Sequence, residues 1–476
     1  MRTRLSCLAI VLVPLAVYAT ALLTDFGTPA DFVFLDGAAG ARTGSIHTTD
    51  GILNGALLDI SYGFVHGVAE LAYLRALSLL LLVLCGLALW QVLERSGWSE
   101  LDAAAVSVCV LLLPTAQLAA GWASAWPVIL AALLSIAGFA AVESELEVGG
   151  RRRLVAMLGG LLFYLAAAAC YLPSGLMALV PLTGVGLARL PRLWPETRRW
   201  FLTHTALLVA GLAGAWGVER WMRHGAGLQE MSSLPQRFFD VVTYALPLSF
   251  APFVAAGSPW SRAACTLAAF ALLFALWRLI RRLDRVDPRV ADLWRFLLPA
   301  TVTLFAVMLL LLPGNASSYL AFWPMAGVAI VALLAAVRVL TTQPGGRPIW
   351  HHAVMGAVVA CGAVAAFSQV QAAIVSPLAA QWSLVRETVQ RTPFGPETRF
   401  EAVIAANGVS SPMPTGGFRP TLTEHKPAAR GAVEAAIRER FPTGLPKGKG
   451  RTISATPPGS GAPLGAVVID LTTVRQ

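Results

Sequence analysis

Apolar residues in this chain come in long unbroken runs rather than at helical or alternating spacing. Eleven such runs lie at about 5–24, 71–93, 101–120, 126–143, 154–172, 174–190, 200–218, 263–280, 296–312, 319–338 and 353–373. Each is close to the ~20 residues that cross a hydrocarbon core as an α-helix, in which every backbone group is satisfied within the segment. The pattern predicts an all-α polytopic membrane protein of about eleven transmembrane helices. It changes beyond residue 375, where short apolar and polar stretches alternate with Pro and Gly: Pro412, Pro414, Gly416, Gly417, Pro457, Pro458 and Gly459. A strand-like 400–405, a helix-like 428–440 and a strand-like 465–470 predict a small α/β module. The chain therefore divides into a transmembrane domain, 1–375, and a C-terminal tail module, 376–476.

Composition agrees with the pattern and excludes a soluble enzyme. Of 476 residues 56% are hydrophobic and only 13% charged, with a mean hydropathy of +0.66, whereas soluble domains carry about 25% charged residues. The net charge of +10 is not read as a nucleic-acid surface, because the arginines sit in short loops between the runs. There they act as topology signals that hold loops on the cytoplasmic side. On that rule the N-terminus is cytoplasmic, and 25–70, 219–262 and the tail after about 374 lie outside. The first run is read as a retained span rather than a cleaved leader. Arginine far outnumbers lysine, which is present only as Lys426, Lys447 and Lys449. With the abundant alanine this suggests a GC-rich bacterial genome, and together with the spans a bacterial inner membrane. The six cysteines all fall within apolar runs, with neither disulfide nor metal spacing.

Candidate chemistry collects in 25–70, the one long acidic segment among the apolar runs. It holds Asp25, Asp31, Asp36, Asp50, Asp59 and Glu70, with His47 and His66, against a single base, Arg42. Asp31 and Asp36, just past the first span, have the spacing to act as a general base and its neighbour, or to hold a divalent cation. The competing reading is of two solvated loop residues or helix caps. His47 and Asp50 flank a turn at Asp50-Gly51, and His66 and Glu70 share a helix face. Arg75 sits a turn inside the second span, where an ionisable side chain either faces a polar interior or snorkels to the interface. In the second outer segment Arg220, Arg223 and Arg237 are suited to an anion such as a phosphate, with lipid head-group anchoring as the alternative. Residues 234–244 read as a helix lying in the interface plane. No nucleotide loop, Ser-His-Asp constellation or metal motif is present, and every cytoplasmic loop is too short for a nucleotide-sugar domain.

An outer acidic loop after the first span, Glu70-Leu-Ala-Tyr-Leu-Arg75-Ala-Leu-Ser78 opening the second, Arg237-Phe-Phe and Asn315-Ala-Ser-Ser-Tyr319 before a late span together resemble the multi-spanning GT-C-type glycosyltransferases, including bacterial members that glucosylate O-antigen. The resemblance covers the chain to about 375. It implies transfer of a sugar from a polyprenyl-phosphate donor to an envelope glycan or lipid acceptor on the outer face. Asp31 is then the essential loop carboxylate, Asp36 or Asp50 assists, and His47, Arg75, Arg220, Arg223 and Arg237 bind substrate. Many members carry two adjacent acids at the first position, where this chain has Ala30-Asp31. The alternative is a non-catalytic transporter, flippase or assembly partner for envelope polysaccharide.

Overall fold

The computed structural model describes residues 2–36, 51–146, 150–188, 194–222, 235, 259–311, 319–341, 348–394, 397–403, 426–441, 450–456 and 466–471. The N-terminal half runs α1 (Arg2–Leu23), α2 (Pro29–Leu35), α3 (Ile52–Gly63), α4 (Leu71–Arg95), α5 (Glu100–Leu111), α6 (Pro114–Gly121), α7 (Trp126–Glu145), α8 (Gly150–Cys170) and α9 (Leu179–Ala188). Then follow α10 (Trp194–Met222), α11 (Pro259–Val286), α12 (Pro288–Leu311), α13 (Trp323–Thr341), α14 (Pro348–Gln369) and α15 (Ser376–Arg391). Helices thus occupy all eleven expected positions. Among the described residues, eight are long and apolar enough to cross a membrane, and α5 with α6 makes a ninth if the bent pair is one span. The expected span at 174–190 is a 3₁₀ stretch, Leu172–Ala178, running into α9, an apolar segment shorter than the others. Leu5, Leu8, Leu12 and Leu15 are exposed along one face of α1, as lipid-facing positions must be in a helix of 3.6 residues per turn.

Breaks in the helices carry their own repairs, as a membrane interior demands. α5 and α6 meet at 61° because Pro114, at the start of α6, cannot donate a backbone hydrogen bond. The carbonyls freed at the bend are taken up by side chains. The Tyr18 hydroxyl donates to Leu111 O (2.7 Å), the Trp323 indole to Val110 O (3.1 Å) and the Gln117 amide to Leu112 O (2.8 Å). The bend is thereby stitched to α1 and α13. Ser135 of α7 does the same for the 3₁₀ stretch, donating to Gly175 O (2.5 Å) and accepting from Ala178 N (2.8 Å). α7 and α8 cross closely at two glycines: a Cβ on Gly160 would lie 2.3 Å from Val142 Cγ2. Small residues at such crossings replace the hydrophobic driving force that lipid removes.

The helix that carries the last span does not stop at 375. It passes through a π-helical segment, Val370–Val375, directly into α15 and ends at Arg391. Beyond it β1 (Glu397–Val403), α16 (Lys426–Arg440), β2 (Gly450–Thr456) and β3 (Val467–Asp470) form the tail module. The sheet is parallel with order β2-β1-β3 and β1 in the centre. Two of its strands and its helix lie where the sequence placed them, and β2 is an addition. α16 packs on α2. Gly431 sits so close that a Cβ there would be 2.3 Å from the carbonyl oxygen of Phe32. Arg430 and Arg438 flank Asp36 at 4.0 and 3.9 Å. Arg440 donates to Val389 O (2.5 Å) and Thr392 O (2.6 Å), closing the C-terminal end of α15. Because backbone cannot yield as a side chain can, Gly431→Ala is expected to weaken docking by about 1–3 kcal/mol. Trypsin should then clip the tail module several-fold faster than in the wild type, with the transmembrane domain unaffected.

Candidate functional site

The sequence Thr28-Pro29-Ala30-Asp31 starts α2 as a capping box. Pro29 fits the first turn because its missing N–H has no partner there in any helix. Thr28 N donates to Asp31 Oδ2 (2.8 Å) and Asp31 N donates to Thr28 Oγ1 (3.3 Å). A cap of this kind is usually solvated, but this one is buried, with Asp31 1% exposed. Its other oxygen, Oδ1, accepts from the Tyr62 hydroxyl of α3 (2.5 Å) and from Ser124 N (3.0 Å), just before α7. Three distant pieces of chain therefore converge on one carboxylate. Burial holds the Tyr62 hydroxyl well above its ordinary pKa, Asp31 adds to that and Arg75 opposes it. Tyr62 is thus a neutral donor at ordinary pH. The Tyr62 ring stacks on Phe34, 4.6 Å between centroids. The indole nitrogens of Trp122 and Trp126, on either side of Ser124 in the chain, are buried with no hydrogen-bond partner.

Arg75 lies behind this group, also 1% exposed, so it points into the protein rather than snorkelling. Its guanidinium donates to Ala21 O (2.7 Å), Thr24 O (3.2 Å) and Phe26 O (3.0 Å) and reaches Leu71 O at 3.5 Å. It sits 4.0 Å above the Phe26 ring. Ala21 is in the last turn of α1, whose carbonyls have no partner within the helix. The cation thus closes the C-terminal end of α1, and within electrostatic reach of it are Asp31, Tyr62 and Asp25. Beside the α1–α2 turn opens a cleft of about 560 Å³ lined by Asp25, Trp382, Ser383, Arg386, Glu387 and Gln390. Trp382 of α15 packs on Phe32, next to Asp31, at 5.5 Å.

Of the residues singled out in the sequence, the structure brings Asp31 and Arg75 together, and places Asp36 at the other end of α2 facing the tail arginines. Arg220 is exposed near the end of α10, its guanidinium 5.6 Å from the Trp216 ring. His47, Asp50, Arg223 and Arg237 lie outside the described residues, as do 234 and 236–244 of the expected interfacial helix and Asn315–Ser317. Glu70 accepts from His66 N (2.6 Å), closing the turn before α4. A divalent cation fits Asp31 poorly as it stands: three donors point at its oxygens and Arg75 supplies positive charge. Among the described residues no group of three His, Cys, Asp or Glu side chains has the arrangement of a metal site.

Sequence reasoning missed Tyr62 and Ser124, whose types and positions carry no local signal. It also missed two acid–histidine contacts, one buried and one part-buried, at the opposite end of the bundle. Asp102 accepts from or pairs with His351 Nε2 at 2.6 Å, while His351 Nδ1 meets Thr341 Oγ1 at 2.6 Å. Glu143 Oε2 holds Trp200 Nε1 (2.7 Å) and His204 Nε2 (3.0 Å). Both link helix ends near the arginine-rich loops.

Fold and site together define a polytopic helical membrane protein with a buried aspartate–arginine–tyrosine group at one end of its bundle. No family model matches the chain, and no curated protein matches it. Among solved structures it is similar to ArnT from Cupriavidus metallidurans bound to undecaprenyl phosphate, with TM-score 0.44 and 14% identity over 89% of this chain and 87% of that one. It is also similar to the Archaeoglobus fulgidus oligosaccharyltransferase in complex with Zn and sulfate, with TM-score 0.42 and 12% identity, covering 85% of this chain and 60% of that one. A third similarity is to the archaeal oligosaccharyltransferase AglB from Archaeoglobus fulgidus in complex with an inhibitory peptide and a dolichol-phosphate, with TM-score 0.38 and 13% identity over 83% and 62% of the two chains.

Proposed function

We propose that the protein transfers a sugar from a polyprenyl-phosphate donor to a glycan or lipid acceptor of the cell envelope, at the outer face of a bacterial inner membrane. The observation that supports this reading best is the convergence of Asp31, Tyr62 and Arg75 directly after the first span. Ionisable groups buried within a membrane protein are costly, and mark function more often than packing. Asp31 Oδ2 accepts a single bond, from Thr28 N, which leaves it capacity for one more donor. In the proposed step an acceptor hydroxyl attacks the anomeric carbon, and the bond from that carbon to the phosphate oxygen breaks. Polyprenyl phosphate departs with the electron pair, and Asp31 takes the hydroxyl proton. Arg220, with Arg223 and Arg237, would steady the leaving phosphate, where fixed positive charge lowers the barrier most. The acceptor would approach through the cleft beside Trp382, whose mix of carboxylate, guanidinium, amide and hydroxyl side chains suits a sugar's hydroxyls.

The test is direct. Purified protein in liposomes, given polyprenyl-phosphate-linked hexose labelled in the sugar together with envelope lipid and glycan acceptors, should release polyprenyl phosphate and move label into an acceptor fraction. No release above protein-free liposomes across the common hexose and aminohexose donors would overturn the reading. A second reading is favoured by one observation: the Arg75 guanidinium makes its four hydrogen bonds to backbone carbonyls. On it the buried group is a structural lock in a non-catalytic assembly or transport partner for envelope polysaccharide.

A further inference from the structure

The end of the bundle away from Asp31 carries a groove with a separate use. α10 begins there, since Trp200 and His204 bond Glu143 near the C-terminal end of α7, whose N-terminal end is the one beside Ser124. Along one face of α10, Arg199, Leu202, Ala206 and Ala210 follow at helical spacing, with Arg198 beside the first. Together with Met157 of α8 they line a trough of about 740 Å³. Its chemistry is split along its length. The mouth has two exposed arginines, neither with an ion-pair partner among the described residues. Below them the wall is apolar: Leu202 is 51% exposed, and two alanines make the surface concave. The one hydroxyl in it, on Thr203, is spent on Arg199 O at 2.9 Å.

We propose that this trough binds an anionic phospholipid, its phosphate held between Arg198 and Arg199 and one acyl chain lying over Ala206 and Ala210. Charge complementarity and position select the occupant. Two guanidiniums at the head-group level of a membrane helix attract an acidic head group, and the apolar wall below them offers an acyl chain a surface that a free polar anion cannot use. A soluble nucleotide or phosphate would leave the lower half of the trough empty. The neighbouring trough on the other side of α8 is a built-in contrast. It holds Arg151 and Arg152 but also Glu145, so its charge is mixed and its preference for anions weaker. The site is independent of glycosyl transfer and stands or falls without it.

Native mass spectrometry of the full chain in neutral detergent, titrated with phosphatidylglycerol or cardiolipin against phosphatidylcholine, tests this. The wild type should retain the acidic lipids and release phosphatidylcholine. Arg198→Ala with Arg199→Ala should weaken acidic-lipid retention roughly thirtyfold, the effect of two surface arginines. Ala206→Phe, which fills the trough and keeps both charges, should weaken it by a similar factor. Equal retention of phosphatidylcholine, unchanged retention in both variants, or full displacement by millimolar inorganic phosphate would each overturn the proposal. An unaltered melting temperature of the variants separates loss of the site from loss of fold.

Discussion

Replacing Asp31 with asparagine is expected to abolish sugar transfer, lowering the rate at least a hundredfold, the contribution of a positioned general base, while the protein still inserts in the membrane. The substitution keeps the size of the side chain and removes its charge. It also cannot satisfy the hydrogen bonds. Oδ1 accepts from Tyr62 and from Ser124 N, and Oδ2 accepts from Thr28 N, so whichever way the amide is turned, its NH₂ faces an N–H donor. A buried donor left unpaired costs about 1–3 kcal/mol, and the melting temperature should fall accordingly. The two readouts separate the two readings of the site. Loss of transfer from a folded variant supports the catalytic role. A folded Asp31→Asn protein that moves label at the wild-type rate sinks it, and leaves the buried group as a lock.

Arg75→Met is expected to be strongly destabilising, by about 3–5 kcal/mol, the cost of leaving several buried acceptors unpaired at about 1–3 kcal/mol each. Three carbonyls, Ala21 O, Thr24 O and Phe26 O, lose their donor in a place that water does not readily reach, and Asp31 loses the cation within its electrostatic reach. The methionine fills the volume but offers no donor. Arg75→Lys should recover only part of the loss, since one ammonium cannot span carbonyls that a planar guanidinium reaches at once or stack as well on Phe26. Thermal unfolding in detergent, following the intact protein by size exclusion after heating, measures both. A methionine variant that melts with the wild type would show the Arg75 contacts to be incidental. If transfer is lost in the lysine variant at a temperature where it remains folded, Arg75 also positions the site.

Much of the architecture was legible along the chain because a bilayer imposes one rule on one segment at a time. A run such as 71–93 must be helical wherever its neighbours are, and helices stand at all eleven expected positions. The capping box of Thr28 and Asp31 is local too, and the sequence offered it only as the competing reading of Asp31 as a helix cap. Two of the tail strands and its helix were legible from equally local patterns, and β2 was not. The bend between α5 and α6 is prefigured by Pro114, but its angle is not.

What the sequence determined by itself, then, is the membrane class, the positions of the apolar helices and the presence of a carboxylate just past the first of them. Only the tertiary structure decided that this carboxylate is buried, that Tyr62, Ser124 and Arg75 surround it, and that Asp36 instead meets Arg430 and Arg438 of the tail. The physical reason is range. Hydropathy and capping act over a few residues, whereas a hydrogen bond between residues 31 and 124 depends on how whole helices pack, and no spacing in the chain encodes it.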